Sequence, residues 1–112
     1  MVKELDVGRL SELEEALGAE RAAIVATLVS ELSTAMRRID TGLHDGDLAE
    51  VAAAAHSARN SGLMIDAQPL LNVLRQLERC ARGGDAAGAH QAQAGLDQVW
   101  PRLRRELEGA VS

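Results

Sequence analysis

Asp47-Leu48-Ala49-Glu50-Val51-Ala52-Ala53-Ala54-Ala55-His56-Ser57-Ala58-Arg59-Asn60-Ser61-Gly62 is the stretch that decides the fold. Asp47 and Glu50 form an Asp-x-x-Glu capping box, whose side chains can satisfy the free N–H groups at a helix start. A helix turns about 100° per residue. On that wheel Leu48, Val51, Ala55, Ala58 and Gly62 share one face, which must be the core side. His56 lies roughly 120° from the middle of that face, so its imidazole is flanking or exposed. Its neighbours one turn away are Ala49, Ala52, Ala53, Arg59 and Asn60. The alanines leave the ring clear for close approach, and Arg59 sets a cation where an anion on the imidazole would sit.

The flanking chain repeats the helical pattern. Upstream, Leu28, Leu32, Ala35, Ile39 and Leu43 recur at spacings of four and three, thickened by Ile24, Val25 and Met36. This predicts a long helix over about 20–43. A separate short helix is expected before it, from about Val7 to Leu17, capped by Asp6 and closed by Gly18. Its face of Leu10, Leu13 and Leu17 would cover one end of a bundle. Gly42 and Gly46 bracket the turn into the His56 helix.

Downstream, Asp66-Ala67-Gln68-Pro69 opens another helix, with Asp66 as cap and Pro69 in the first turn, where its missing N–H costs nothing. Leu70, Leu74, Leu77 and Ala81 are its stripe. Arg82-Gly83-Gly84-Asp85 is a turn with Asp85 as the next cap. The last helix runs from about Ala86 towards Gly109 with Leu96, Trp100, Leu103 and Leu107 inward, and Pro101 predicts a kink or a fresh start. Connections of a few residues favour antiparallel neighbours. The expected architecture is all-α, an antiparallel up-down-up-down four-helix bundle with a short N-terminal helix, forming one domain over residues 1–112.

Composition agrees. Ala, Leu, Glu and Arg dominate, Phe and Tyr are absent, and Trp100 is the sole aromatic; sheets favour aromatic and β-branched residues. A net charge of −5 argues against nucleic acid, which selects a basic surface. Arg37-Arg38 and the group Arg102, Arg104 and Arg105 read as solvated faces. Cys80 is alone, which excludes an intrachain disulfide or a cysteine metal cluster and suits a reducing, cytoplasmic setting. The start of the chain lacks the basic-then-apolar order of a signal peptide. The longest apolar run, residues 22–29, is too short to span a bilayer.

Few chemistries remain. No histidine pair has the i, i+4 spacing of a helical metal site, and no Ser-His-Asp set, phosphate loop or paired-carboxylate pocket stands out. His44, in a turn, and His90, on a polar face, read as solvated. His56 can act as a nucleophile, since attack needs a neutral ring nitrogen, the form an exposed histidine mostly takes near neutral pH. A polar group on its other nitrogen would fix the tautomer; Gln93 or Gln98 on the last helix could reach it.

The run Asp47 to Arg59 resembles the histidine-containing phosphotransfer (HPt) domains of multistep bacterial phosphorelays. In that family a Gly-Asp turn leads into a helix bearing an Ala-His pair, followed by a lysine three residues on and then a glycine. Gly46-Asp47, Ala55-His56 and Arg59 occupy those places. A later Leu-Glu pair and short acidic turn look like Leu77-Glu78 through Gly84-Asp85. The resemblance implies that His56 accepts a phosphoryl group and exchanges it with aspartates of receiver domains, in response regulators or hybrid sensor kinases. It implies that Arg59, Asn60, Ala52, Ala53, Ala49 and Leu63 support the phosphate or the docked partner. The receiver would bring Mg²⁺, and this chain no cofactor of its own. A monomer is expected, touching neither membrane nor nucleic acid.

Four positions depart from the pattern. Arg59 stands for lysine, Asn60 for the glycine that lets a partner's backbone come close, and Ala58 for a frequent leucine. Asp66 stands for a second glycine, a mild exchange because Asp tolerates left-handed angles. Asn60 and Ala58 motivate a competing expectation, an HPt-like adaptor that docks a receiver or kinase without carrying phosphate. A third is a helical protein that dimerises by burying the Ala52, Ala53 and Ala55 region.

Overall fold

The computed structural model describes residues 7–110, with side chains described at 15 and from 17 onward. Four helices follow one another: α1 Val7–Asp45, α2 Leu48–Met64, α3 Gln68–Arg82 and α4 Ala86–Gly109. Among the described residues there is no strand. Each helix packs on its neighbours in sequence and α4 closes against α1, the ring expected of an up-down-up-down bundle. None is long and apolar enough to cross a membrane.

The three connections use the same device. Gly46 (φ 73°), Asp66 (φ 50°) and Gly84 (φ 73°) take left-handed angles just past the ends of α1, α2 and α3. At each, the next N–H reaches back six residues inclusive: Asp47 to the Gly42 carbonyl at 2.8 Å, Ala67 to Gly62 at 3.3 Å, and Asp85 to Cys80 at 2.9 Å. This closes the helix ends as Schellman motifs. The residue after each left-handed position is the N-cap of the next helix, so one short turn both stops and starts a helix.

The caps correct two expectations. Asp47 Oδ1 accepts from the Glu50 N–H at 3.1 Å, but the reciprocal half of the box is absent. Arg38 Nε donates to Glu50 Oε1 at 2.5 Å, and the Asp47 N–H is already used by Gly42. Asp66 does not cap α3. Ala67 holds the cap position without a side-chain bond, Pro69 lies in the first turn, and Asp66 Oδ1 accepts from Gln68 Nε2 at 2.7 Å. The left-handed angle a glycine would supply is the constraint that Asp66 meets.

α1 corrects the third. The expected short helix at 7–17 and the long one at 20–43 are a single helix of 39 residues. Gly18 costs about 1 kcal/mol in a helix interior, which is too little to break a run flanked by Glu, Arg and Ala. At 1.5 Å per residue this helix is about 58 Å long, matching the 60 Å long axis of the molecule. Its N-terminal part therefore projects past the other three helices. Leu17 and Ile24 are 58% and 54% exposed, so Leu17 does not cover the bundle's end. Asp6 lies outside the described residues, as do the side chains of Leu10 and Leu13.

The core is the predicted one except at Ile24, expected to thicken the α1 stripe but exposed because it lies where α1 runs out past the bundle. Leu28, Leu32, Ala35, Ile39 and Leu43 of α1 meet Leu70, Leu74, Leu77 and Ala81 of α3 and Leu96 and Trp100 of α4, all buried. Leu103 and Leu107 are half-buried. α4 runs through Pro101 as one helix, so no fresh start occurs there. Between α1 and α3, α2 contributes Val51, Ala54, Ala55 and Ala58, none more than 1% exposed. The approach is tight. A Cβ added at Gly42 would stand 2.8 Å from Val51 Cγ2, and one at Gly62 3.1 Å from Leu71 Cδ2. Gly42 lets α1 close on α2, and Gly62 lets α2 close on α3; the flanking side chains of α2 and α3 meet there, and that meeting builds the site.

Candidate functional site

His56 sits on α2 one residue past the buried Ala55, on the flank facing α3. Its side chain is 52% exposed. Exposed Ala49 and Ala53 leave the ring open on one side, and exposed Asn60 lies one turn on. Ala52 does not belong to that open rim. It is 6% exposed and part of the core, because α3 covers the side of α2 on which it lies. Ala58 is likewise a core residue. Leu63, at 54%, and Met64, at 71%, extend the exposed face with apolar surface.

The group behind the imidazole comes from α3. Glu78 is 6% exposed, and its Oε2 lies 3.4 Å from His56 Nδ1. That is long for a strong hydrogen bond but close enough to orient the ring electrostatically. Burying a carboxylate is costly unless it is paired, and Glu78 is paired twice. Arg59 Nη1 donates to Oε1 at 2.6 Å. Arg82 donates to Oε2 through Nε at 2.9 Å and Nη2 at 2.8 Å. Burial pushes the Glu78 carboxyl towards neutrality, but the hydrogen bonds and charges of Arg82 and Arg59 outweigh it and hold it below the usual glutamate range. The carboxylate stays ionised, and with its two guanidiniums leaves one net positive charge beside the ring.

Chemically, an imidazole with Nδ1 turned to a carboxylate keeps its proton there and presents the lone pair of Nε2 outward. Charge that develops on the ring as Nε2 attacks is balanced by Glu78, and an anion held on Nε2 meets the surplus positive charge. Open surface hollows lie elsewhere, one where the α2–α3 turn meets the end of α4 and another between α1 and α4. Among the described residues no His, Cys, Asp and Glu group is placed to hold a metal ion.

Several expectations resolve against this geometry. Gln93 pairs with Asp40 and Gln98 is exposed on α4; α4 packs on α3 and α1, diagonal to α2, so neither orients His56. Arg59 is next to the histidine, as expected, but its guanidinium is committed to Glu78. His44 and His90 are exposed. Of the Ala52, Ala53 and Ala55 region that a dimer was expected to bury, Ala52 and Ala55 face the chain's own core and Ala53 alone is exposed. Glu78 and Arg82 escaped the reading of the sequence as site residues. Their i, i+4 spacing was a visible signal for a pair, but nothing local shows that the pair points across to α2.

A family model described as Hpt domain matches residues 23–111. Comparison with curated proteins and with solved structures finds no match. The matched segment begins within α1 and covers most of the sequence: the chain belongs to the Hpt domain family.

Proposed function

We propose that this chain is a histidine phosphotransfer protein that accepts a phosphoryl group on Nε2 of His56 and exchanges it with an aspartate of a receiver domain in a bacterial two-component phosphorelay. The observation that carries this reading is the exposed imidazole backed by a buried carboxylate that is itself held by two arginines. In the transfer the Nε2 lone pair attacks the phosphorus of the aspartyl phosphate. The N–P bond forms, the P–O bond breaks, and its electrons return to the aspartate carboxylate. The Nδ1 proton stays on the ring, and the positive charge gained there faces Glu78. Mg²⁺ and the remaining groups belong to the receiver. A shuttle of this kind works in the cytoplasm, which suits the lone thiol of Cys80 and helices too polar to cross a membrane.

The docking-adaptor reading now rests on Asn60 alone, because Ala58 lies in the core and touches no partner. That adaptor would bind its receiver equally well after His56→Ala. The deciding experiment incubates the chain with a receiver charged by acetyl phosphate. Wild type is expected to acquire an acid-labile, alkali-resistant phosphate that His56→Gln abolishes. No transfer to wild type from a cognate charged receiver would defeat the proposal.

A further inference from the structure

Two arginines flank His56, and their bonding to Glu78 is not equivalent. Oε1 of the buried carboxylate has one donor, Arg59, at 2.6 Å. Oε2 has two claimants, Arg82 at 2.8 and 2.9 Å and His56 Nδ1 at 3.4 Å. If Arg59 left, Oε1 would be buried without a partner, which is costly for a charged group. If Arg82 left, Oε2 would still face the imidazole. Exposure follows the same division, with the Arg59 side chain 31% exposed and that of Arg82 62%. One is a brace, and the other is free to swing.

We infer that Arg82, not Arg59, is the side chain that binds the phosphoryl group on His56, moving its guanidinium from Glu78 Oε2 to the phosphoryl oxygens. This rests on His56 being the acceptor. Before transfer Arg82 helps keep Glu78 ionised. Once the ring is phosphorylated, the Nδ1 contact with Glu78 strengthens because the ring has become cationic, and Arg82 is released to an anion carrying more charge than the carboxylate. A guanidinium can grip such a group through two parallel N–H bonds. Arg59 then acts through Glu78, as a positioning residue. The resemblance alone had placed Arg59 at the phosphate.

The test is a cycle between phosphorylation and side chain, read by urea unfolding at pH 8. The chain carries His44→Gln and His90→Gln so that His56 is the sole histidine, and phosphoramidate is the donor, its P–N bond breaking with loss of ammonia. The effect of phosphorylation on the folding constant is compared in this background and in Arg82→Ala, Arg82→Lys and Arg59→Ala. Arg82→Ala is expected to make phosphorylation about tenfold more unfavourable to folding, the value of one charge-assisted hydrogen bond. Arg82→Lys should recover part of that factor. Arg59→Ala should lower stability alike with and without phosphate. Equal effects of phosphorylation in Arg82→Ala and the parent would overturn the inference while leaving His56 as acceptor. A coupling found at Arg59 instead would also overturn it. If His56 takes no phosphate from either phosphoramidate or a charged receiver, both readings fall.

Discussion

Replacing Glu78 by Gln keeps the shape of the side chain and removes its charge, which isolates what the carboxylate does for His56. A carboxylate accepts at both oxygens, whereas an amide has one acceptor and one donor group. Three side chains aim donors at Glu78: Arg59 at 2.6 Å, Arg82 at 2.8 Å and His56 at 3.4 Å. In Glu78→Gln the closest and least exposed of them, Arg59, takes the amide oxygen. The amide N–H₂ then faces Arg82 and His56. Arg82 turns to solvent, and the imidazole shifts its proton to Nε2 so that Nδ1 can accept. The nucleophilic nitrogen is thereby blocked. A hydrogen bond to a charged group contributes about 1.5–3 kcal/mol, and a 3.4 Å contact belongs at the low end, so transfer should slow by roughly tenfold. Stability should fall by about 1–2 kcal/mol, because the arginines are partly solvated and lose less than a buried pair would. Quenched-flow transfer from a charged receiver gives the rate, and ¹⁵N chemical shifts of the imidazole give the tautomer. An unchanged tautomer with a rate within twofold of wild type would refute the role assigned to Glu78.

The remaining predictions concern pH, packing and the rim of the site. Because Glu78 sits below the usual glutamate range, its contribution to stability is complete above the pKa of an unfolded glutamate, about 4.3. That contribution is lost as pH falls through the lower folded value. Urea unfolding between pH 7 and 3 should therefore show wild type losing stability more steeply than Glu78→Gln below about pH 4.5, and parallel curves would contradict this. Leu74, fully buried, should cost about 2–5 kcal/mol when cut to alanine; Met64→Ala should stay within about 0.5 kcal/mol, and similar losses for the two would count against the core described. Gly42→Ala drives a methyl against Val51 and the Asp47 carbonyl and should cost about 1–3 kcal/mol, seen as a lowered Tm. Asn60→Gly should lower stability by about 0.5 kcal/mol yet speed transfer by opening the rim to the partner backbone; a slower variant would show that Asn60 assists transfer.

Much of this molecule was legible in its sequence because apolar spacing and turn residues report on local structure. The starts of α2 at Asp47 and of α4 at Asp85 follow from capping and turn residues, and the stripes of α1, α3 and α4 and the exposure of His56 from helical periodicity. The misreadings share a cause, which is that tertiary context or backbone angle overrode a local signal. Gly18 looked like a helix end, but no turn chemistry follows it. Asp66 looked like a cap, but the left-handed angle required two residues after α2 claimed it first. Glu50 looked like half of a capping box, but Arg38 on α1 offered it a charged partner. Glu78 is the instructive case. In sequence it is one more charged residue beside a leucine stripe, and only the close packing of alanine-rich α2 on α3 turns it inward beneath His56.

The proposed function depends on phosphoryl chemistry at the outward nitrogen of His56. A ³¹P–¹H correlation spectrum of the chain after incubation with a charged receiver tests it most directly. One phosphorus nucleus is expected, coupled to the imidazole protons of His56 in the pattern of an Nε2 adduct. Phosphorus on Nδ1, on His44 or His90, or on no histidine at all would contradict it.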